Sequence, residues 1–168
     1  PAAVTEADYL VVESTYGDRR HDAADPRDKL ADVITRTAAR GGVVVVPSFA
    51  VGRAQTLLYL AHLLRSEQRI PATLPIYLNS PMAADATHIY ERHRAEHRLN
   101  PEQCAAMGSA ARIVNSVEES KRLNDMHYPA IIISASGMAS GGRVLHHLKA
   151  FAPDPRNSIL FAGYQAAG

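Results

Sequence analysis

The sequence predicts an α/β fold: a mainly parallel, six-stranded sheet with helices on both faces, Rossmann-like in arrangement. Three observations predict it. Short apolar runs rich in β-branched residues alternate with amphipathic stretches along the whole chain. The runs are continuous rather than alternating, as expected of strands buried on both faces. Strand–helix–strand order then implies right-handed crossovers and parallel neighbours.

The elements follow in order. "DYLVVE" (8–13) reads as a buried strand. A helix follows with Asp25 as N-cap, Pro26 in its first turn, Leu30, Val33, Ile34, Thr37 and Ala38 as its inner stripe, and Gly41 as its stop. "VVVVP" (43–47) is the second strand, and "VGRAQTLLYLAHLLRS" a helix with Leu57, Leu60 and Leu64 inward. "PIYLN" (75–79) is the third strand. Ser80 and Pro81 open a helix read as running through His97. "ARIVN" (111–115) is the fourth strand, and Ser116 with Glu119 forms a capping box for the next helix. "AIIIS" (130–134), the helix "GGRVLHHLKAF" and the strand "SILFAG" (158–163) complete six strands and five helices.

Composition narrows function less than pattern does. A chain of 168 residues suits one domain with a proper core. A net charge of +1 means that any polyanion would have to be held by a local patch. Cys104 is the only cysteine, which excludes an internal disulfide and fits a reducing, cytoplasmic setting. No apolar run reaches the roughly 18 residues that span a bilayer. The chain starts at Pro1 without a signal peptide and stops at "GYQAAG", so a piece of a longer protein is expected.

Open sheets of this class bind ligands beyond the C-terminal ends of their strands. Those ends read "ESTYG", "PSFAVGR", "NSPMA", "SASGMASGGR" and "GYQAAG", rich in small and hydroxyl residues. Gly137 to Gly142 has P-loop spacing, but Arg143 and Val144 stand where Lys and Ser or Thr would follow. Without that hydroxyl the Mg²⁺ ligand of nucleotide hydrolysis is missing. The loop can still offer backbone N–H groups and a helix N-terminus to an oxyanion, with Arg143 as a planar cationic fork. The plainer reading is a tight strand-to-helix turn. Arg53 follows Gly52 at the start of a helix, where a cation opposes the helix dipole. Phosphate or a surface salt bridge would explain it. Glu13, the lone acid at a strand end, suits proton transfer, histidine orientation or simple turn capping. Among eight histidines, His93 and His97 have i, i+4 spacing, but Arg94 fills the slot where a zinc protease has Glu. That segment reads as a solvated basic helix face, and no metal site is expected in this chain.

"ADYLVVESTYGDRRH", "GGVVVVPSFAVGRAQTLLYL", "PIYLNSPMA", "IIISASGMASGGRVLHHL" and "NSILFAGYQAAG" together closely resemble the β-CASP segment of RNA-processing metallo-β-lactamase-fold ribonucleases. The resemblance is to RNase J and to bacterial and archaeal relatives of the 3′-end cleavage endonuclease. It implies a β-CASP domain over residues 23–168 and a strand and linker over 1–22 that belong to a metallo-β-lactamase domain of the same parent. It implies RNA as the partner, leaves a homo-oligomer open, and calls for no membrane. The parent would hydrolyse an RNA phosphodiester with two Zn²⁺, leaving a 5′-phosphate. The zinc motif H-x-H-x-D-H is not in this chain, so the chain alone is expected to be inactive. By the same resemblance Glu13 is the one catalytic residue present, hydrogen-bonding a histidine from outside it. Ser48, Arg53, Ser80, Ser136, Gly137, Met138, Gly141, Gly142, Arg143 and His146 or His147 would line the RNA-backbone side of the cleft. A non-catalytic RNA-binding subunit and a nucleotide-binding domain are the alternatives.

Overall fold

The computed structural model describes residues 3–166. Its sheet has five parallel strands, β1 (Val43–Pro47), β2 (Ile76–Asn79), β3 (Arg112–Ile113), β4 (Ala130–Ser134) and β5 (Ser158–Ile159), in the order β3-β2-β4-β1-β5. The helices are α1 (Pro26–Ala39), α2 (Arg53–Ser66), α3 (Pro81–Arg92), α4 (Pro101–Ser109), α5 (Val117–Leu123) and α6 (Val144–Phe151). None is long and apolar enough to cross a membrane.

The three central strands are buried throughout, and register explains how one sheet supports two cores. Val44, Ile131 and Ile76 pair across it, as do Val46, Ile133 and Leu78, and these point to the face covered by α1 to α4. Val45, Ile132 and Tyr77 point the other way, where Val144 and Phe151 of α6 and Leu123 of α5 meet them. Successive strand residues alternate faces, so near-continuous Val and Ile runs are what a doubly covered sheet requires.

Several boundaries differ from the sequence expectation. The sheet has five strands rather than six, because residues 8–13 form no strand; Tyr9 and Val11 are 94% and 98% exposed. A strand needs a neighbour to take its N–H and C=O groups, and the described residues provide none there. The edge strands β3 and β5 shrink to two residues each. The helix from Pro81 ends at Arg92, followed by a 3₁₀ turn at Arg94–Glu96. Its last carbonyls are taken by side chains: Arg94 Nε donates to Glu91 O at 2.8 Å and His97 Nε2 to Tyr90 O at 3.0 Å. His93 and His97 therefore do not share a helix face. Helix α4 is an addition to the sequence expectation, and Asn100 and Gln103 form a reciprocal capping box at its start. Asp25, Ser80 and Ser116 cap their helices as read.

The start of β1 is tied to the start of β5 by one side chain. The buried Val43 N–H donates to Asn157 Oδ1 at 2.7 Å, and Asn157 Nδ2 donates to Phe151 O at 2.8 Å. Asn157→Ala strands a buried donor and should cost about 2 kcal/mol. The urea midpoint of this variant against wild type checks this, and an unchanged midpoint would refute it.

Candidate functional site

Because all strands are parallel, the loops after β1, β2, β4 and β5 emerge on one edge. At that edge β1, β4 and β2 end side by side at Pro47, Ser134 and Asn79. By strand parity Asn79 points toward α5 and α6, and it is fully buried. A buried amide must be bonded, and this one is bonded on every side. Its Oδ1 accepts from Arg143 Nη1 at 2.9 Å, while its Nδ2 donates to Ser120 Oγ at 2.7 Å and to His147 Nε2 at 2.6 Å. His147 Nδ1 lies 2.6 Å from Asn124 Oδ1.

The protonation pattern follows from Arg143, which can only donate. It obliges Asn79 to present Oδ1, so Nδ2 faces His147 and Nε2 must accept. The His147 proton then sits on Nδ1 and is donated to Asn124. A second proton on Nε2 would oppose the Asn79 amide hydrogens. Burial above all, then the positive charges of His146 and Arg143, pushes the His147 pKa down to about 4.

This network relocates two residues expected at the RNA-facing surface. Arg143 is half-buried and gives further N–H bonds to Val114 O at 3.0 Å and Asn115 O at 2.6 Å. Its fork joins the Gly-rich loop to the ends of β2 and β3 instead of standing open to an oxyanion. His147 is buried beneath it, and His146 is the exposed member of the pair. Ser48 is buried with its hydroxyl on Phe49 O, and Ser80 Oγ caps α3 by accepting from Ala83 N–H. Ser136 is half-buried and Gly141 faces open space. Gly142 adopts φ 71°, a left-handed conformation that glycine alone takes without strain.

The edge also holds a cleft of about 620 Å³ lined by Glu13, Thr15, Tyr16, Phe49, Val51, Gly52, Arg53, Thr56, Met138, Gly163 and Tyr164. It brings together Glu13, Arg53 and Met138 of the expected residues. The Thr15 hydroxyl and N–H hold the exposed Glu13 carboxyl below its ordinary pKa, the N–H at 2.8 Å. Arg53 is exposed. Neighbouring cations are paired, Arg27 with Asp25, Lys29 with Asp22 and Arg36 with Asp32, but among the described residues no carboxylate pairs with Arg53. Its loop is fixed from below by the buried Gln55. That side chain accepts from Gly52 N–H at 2.7 Å and donates to Ala50 O, Ala83 O and Thr87 Oγ.

Sequence reasoning missed Asn79, Asn124, Gln55 and the aromatic walls of the cleft. Asn79 had a signal: an amide closing a buried apolar strand must find several partners. Of "GYQAAG", residues 167 and 168 lie outside the described residues, as do residues 1 and 2. No group of three His, Cys, Asp or Glu side chains able to hold a metal occurs among the described residues.

The depressed His147 pKa makes stability depend on pH with a definite sign. Unfolded histidine takes a proton near pH 6.5, whereas folded His147 waits until about 4. Acid therefore favours the unfolded chain across that window. Stability present above pH 6.5 should fall by roughly 3 kcal/mol as pH drops to 4, and then level off for this group. Urea unfolding of wild type against His147→Gln isolates the effect: the variant should lack that part of the slope. Nitrogen NMR should find His147 protonated on Nδ1, and an Nε2–H form would refute the network assignment.

Comparison with known proteins places the fold. The Beta-Casp domain profile matches residues 54–168. Over its whole length the chain is 37% identical to Ribonuclease TTHA0252 of Thermus thermophilus, spanning 40% of that protein. Over 95% of its length it is 41% identical to transcription termination factor FttA of Pyrococcus abyssi, spanning 26% of it. It is 34% identical to an RNase J-like protein of Methanocaldococcus jannaschii over 98% of the chain and 39% of the relative. The chain thus spans between about a quarter and two-fifths of these relatives. A match over most of the chain, on a sheet whose loops gather at one edge, makes this chain a member of the Beta-Casp domain family.

Proposed function

We propose that this chain is the RNA-gripping half of a zinc-dependent, metallo-β-lactamase-fold ribonuclease. Residues 1–22 would pack with the catalytic domain of the same parent and residues 23–168 form the β-CASP domain. The observation that carries the reading is Arg53, exposed, paired with no carboxylate among the described residues, and lining the same strand-end cleft as Glu13. A cation held without a carboxylate partner at a helix N-terminus, where the dipole also favours anions, suits a phosphate. The relatives' names, Ribonuclease TTHA0252 and RNase J-like protein, support RNA as the polymer.

In this reading the chain binds and orients, and the hydrolytic chemistry lies elsewhere. Among the described residues no side chains group into a metal site, and the two Zn²⁺ ions expected of the parent would be held by its catalytic domain. Bound there, they would supply the polarised phosphate and the activated water. Arg53 would fix the backbone phosphate, and Glu13, ionised and exposed, would accept a hydrogen bond from a histidine of the catalytic domain. Arg143, Asn79 and His147 would hold the loop edge rigid, which matters because misplacement by about 1 Å costs a large factor in rate. The isolated chain would bind RNA weakly and cut nothing, and the parent would act in the cytoplasm.

The test is RNA binding and cleavage by the full-length parent. Arg53→Ala should weaken binding to unrelated RNA sequences alike and lower the slope of log affinity against log salt by about 0.7, one single-strand phosphate contact. Zinc content should not change. Unaltered affinity and slope would remove Arg53 from the site, and preferential binding of ATP with Mg²⁺ would overturn the RNA reading.

A further inference from the structure

The cleft holds a feature that phosphate binding does not explain. Phe49 follows the buried Ser48 at the end of β1 and is 42% exposed. It is not a side chain left over from the core, because the fold makes room for it. A Cβ at Gly137 would lie 2.7 Å from the ring, and one at Gly163 would lie 3.8 Å away. Gly137 thus seats the ring by lacking a Cβ, and Gly163 from a different strand-end loop lies in ordinary contact range of it. The seat is itself tied together, since Gln165 Nε2 donates to Gly137 O at 2.9 Å. Phe49 O accepts from Ala54 N–H at 3.2 Å, which fixes the backbone beneath the ring.

With one side of the ring on glycine, its remaining surface lines the cleft together with Arg53 and Tyr164. Tyr164 is braced edge-on by Tyr16, with ring centroids 6.0 Å apart and planes at 86°. A seated, exposed aromatic lining one cleft with a guanidinium that pairs with no carboxylate among the described residues matches one ligand chemistry well: a nucleobase stacked on the ring with its phosphate on the cation. We infer that Phe49 is a base-stacking platform that selects unpaired nucleotides of single-stranded RNA. Stacking needs a base whose face is free, and an A-form duplex keeps its bases stacked on each other. The inference rests on the RNA reading above and adds to it the basis of strand selectivity.

The test is equilibrium binding by the full-length protein, with metal chelated so that RNA stays intact. The probes are a short single-stranded RNA carrying a fluorescent adenine analogue, the same length of abasic ribose-phosphate, and a duplex. Phe49→Leu should lose roughly 5- to 150-fold in affinity for the single strand and leave abasic binding unchanged. Phe49→Trp should restore the affinity. The analogue's fluorescence should be quenched by wild type and Phe49→Trp but not by Phe49→Leu. Full single-strand affinity in Phe49→Leu would overturn the platform while the RNA reading stands. No RNA binding by wild type would overturn that reading itself. Loss of melting temperature or of domain association, with affinity per folded molecule unchanged, would assign Phe49 to a protein interface and overturn the inference.

Discussion

The loop edge depends on the orientation of one amide. Asn79 stands at the end of β2 with Arg143, His147 and Ser120 around it, and Arg143 has no acceptor atom with which to compromise. That single asymmetry sets the amide, the amide sets the imidazole tautomer, and the imidazole reaches Asn124 at the end of α5. Three elements that share no sequence neighbourhood are thereby locked at one corner. Such a network is costly if one member is lost and rigid if all are present, because each buried group has lost its water.

Rigidity at this corner has a use. The cleft residues sit on loops, and loops move unless they are tied. Arg143 ties the Gly-rich loop to the ends of β2 and β3, and Gln55 ties the Arg53 loop to α3. The exposed groups, Arg53, Glu13 and Phe49, make few or no long-range bonds of their own. In the proposed reading the fold divides labour between buried polar residues that position and exposed ones left open to RNA.

That division marks what the sequence could and could not tell. The central strands and α1 were legible because Val and Ile runs and an Asp-Pro start carry their own local signal. The gathering of loops on one edge followed from parallel connectivity. The edge strands were overdrawn because half-exposed runs such as "ARIVN" look like core in one dimension. The i, i+4 pair His93 and His97 held meaning only while the helix continued, and it ends at Arg92. Arg143 reads locally as a phosphate fork or part of a tight turn, because its acceptors, Asn79, Val114 and Asn115, lie 28 to 64 residues away. No local pattern announces them. The aromatic seat was hidden likewise, since Phe49, Gly137 and Gly163 converge only in three dimensions.

The open stretch from Tyr9 to Val12 has a consequence of a different kind. In the proposed reading the catalytic domain of the parent would cover these four consecutive apolar residues of high strand propensity, and any copy of the chain without that cover would offer them for self-association. Asp8 and Glu13 bracket that stretch, and like charges at both ends oppose the in-register stacking of identical segments. Glu13 thus carries a charge that opposes such stacking wherever the stretch is uncovered, and neutralising it would weaken that opposition.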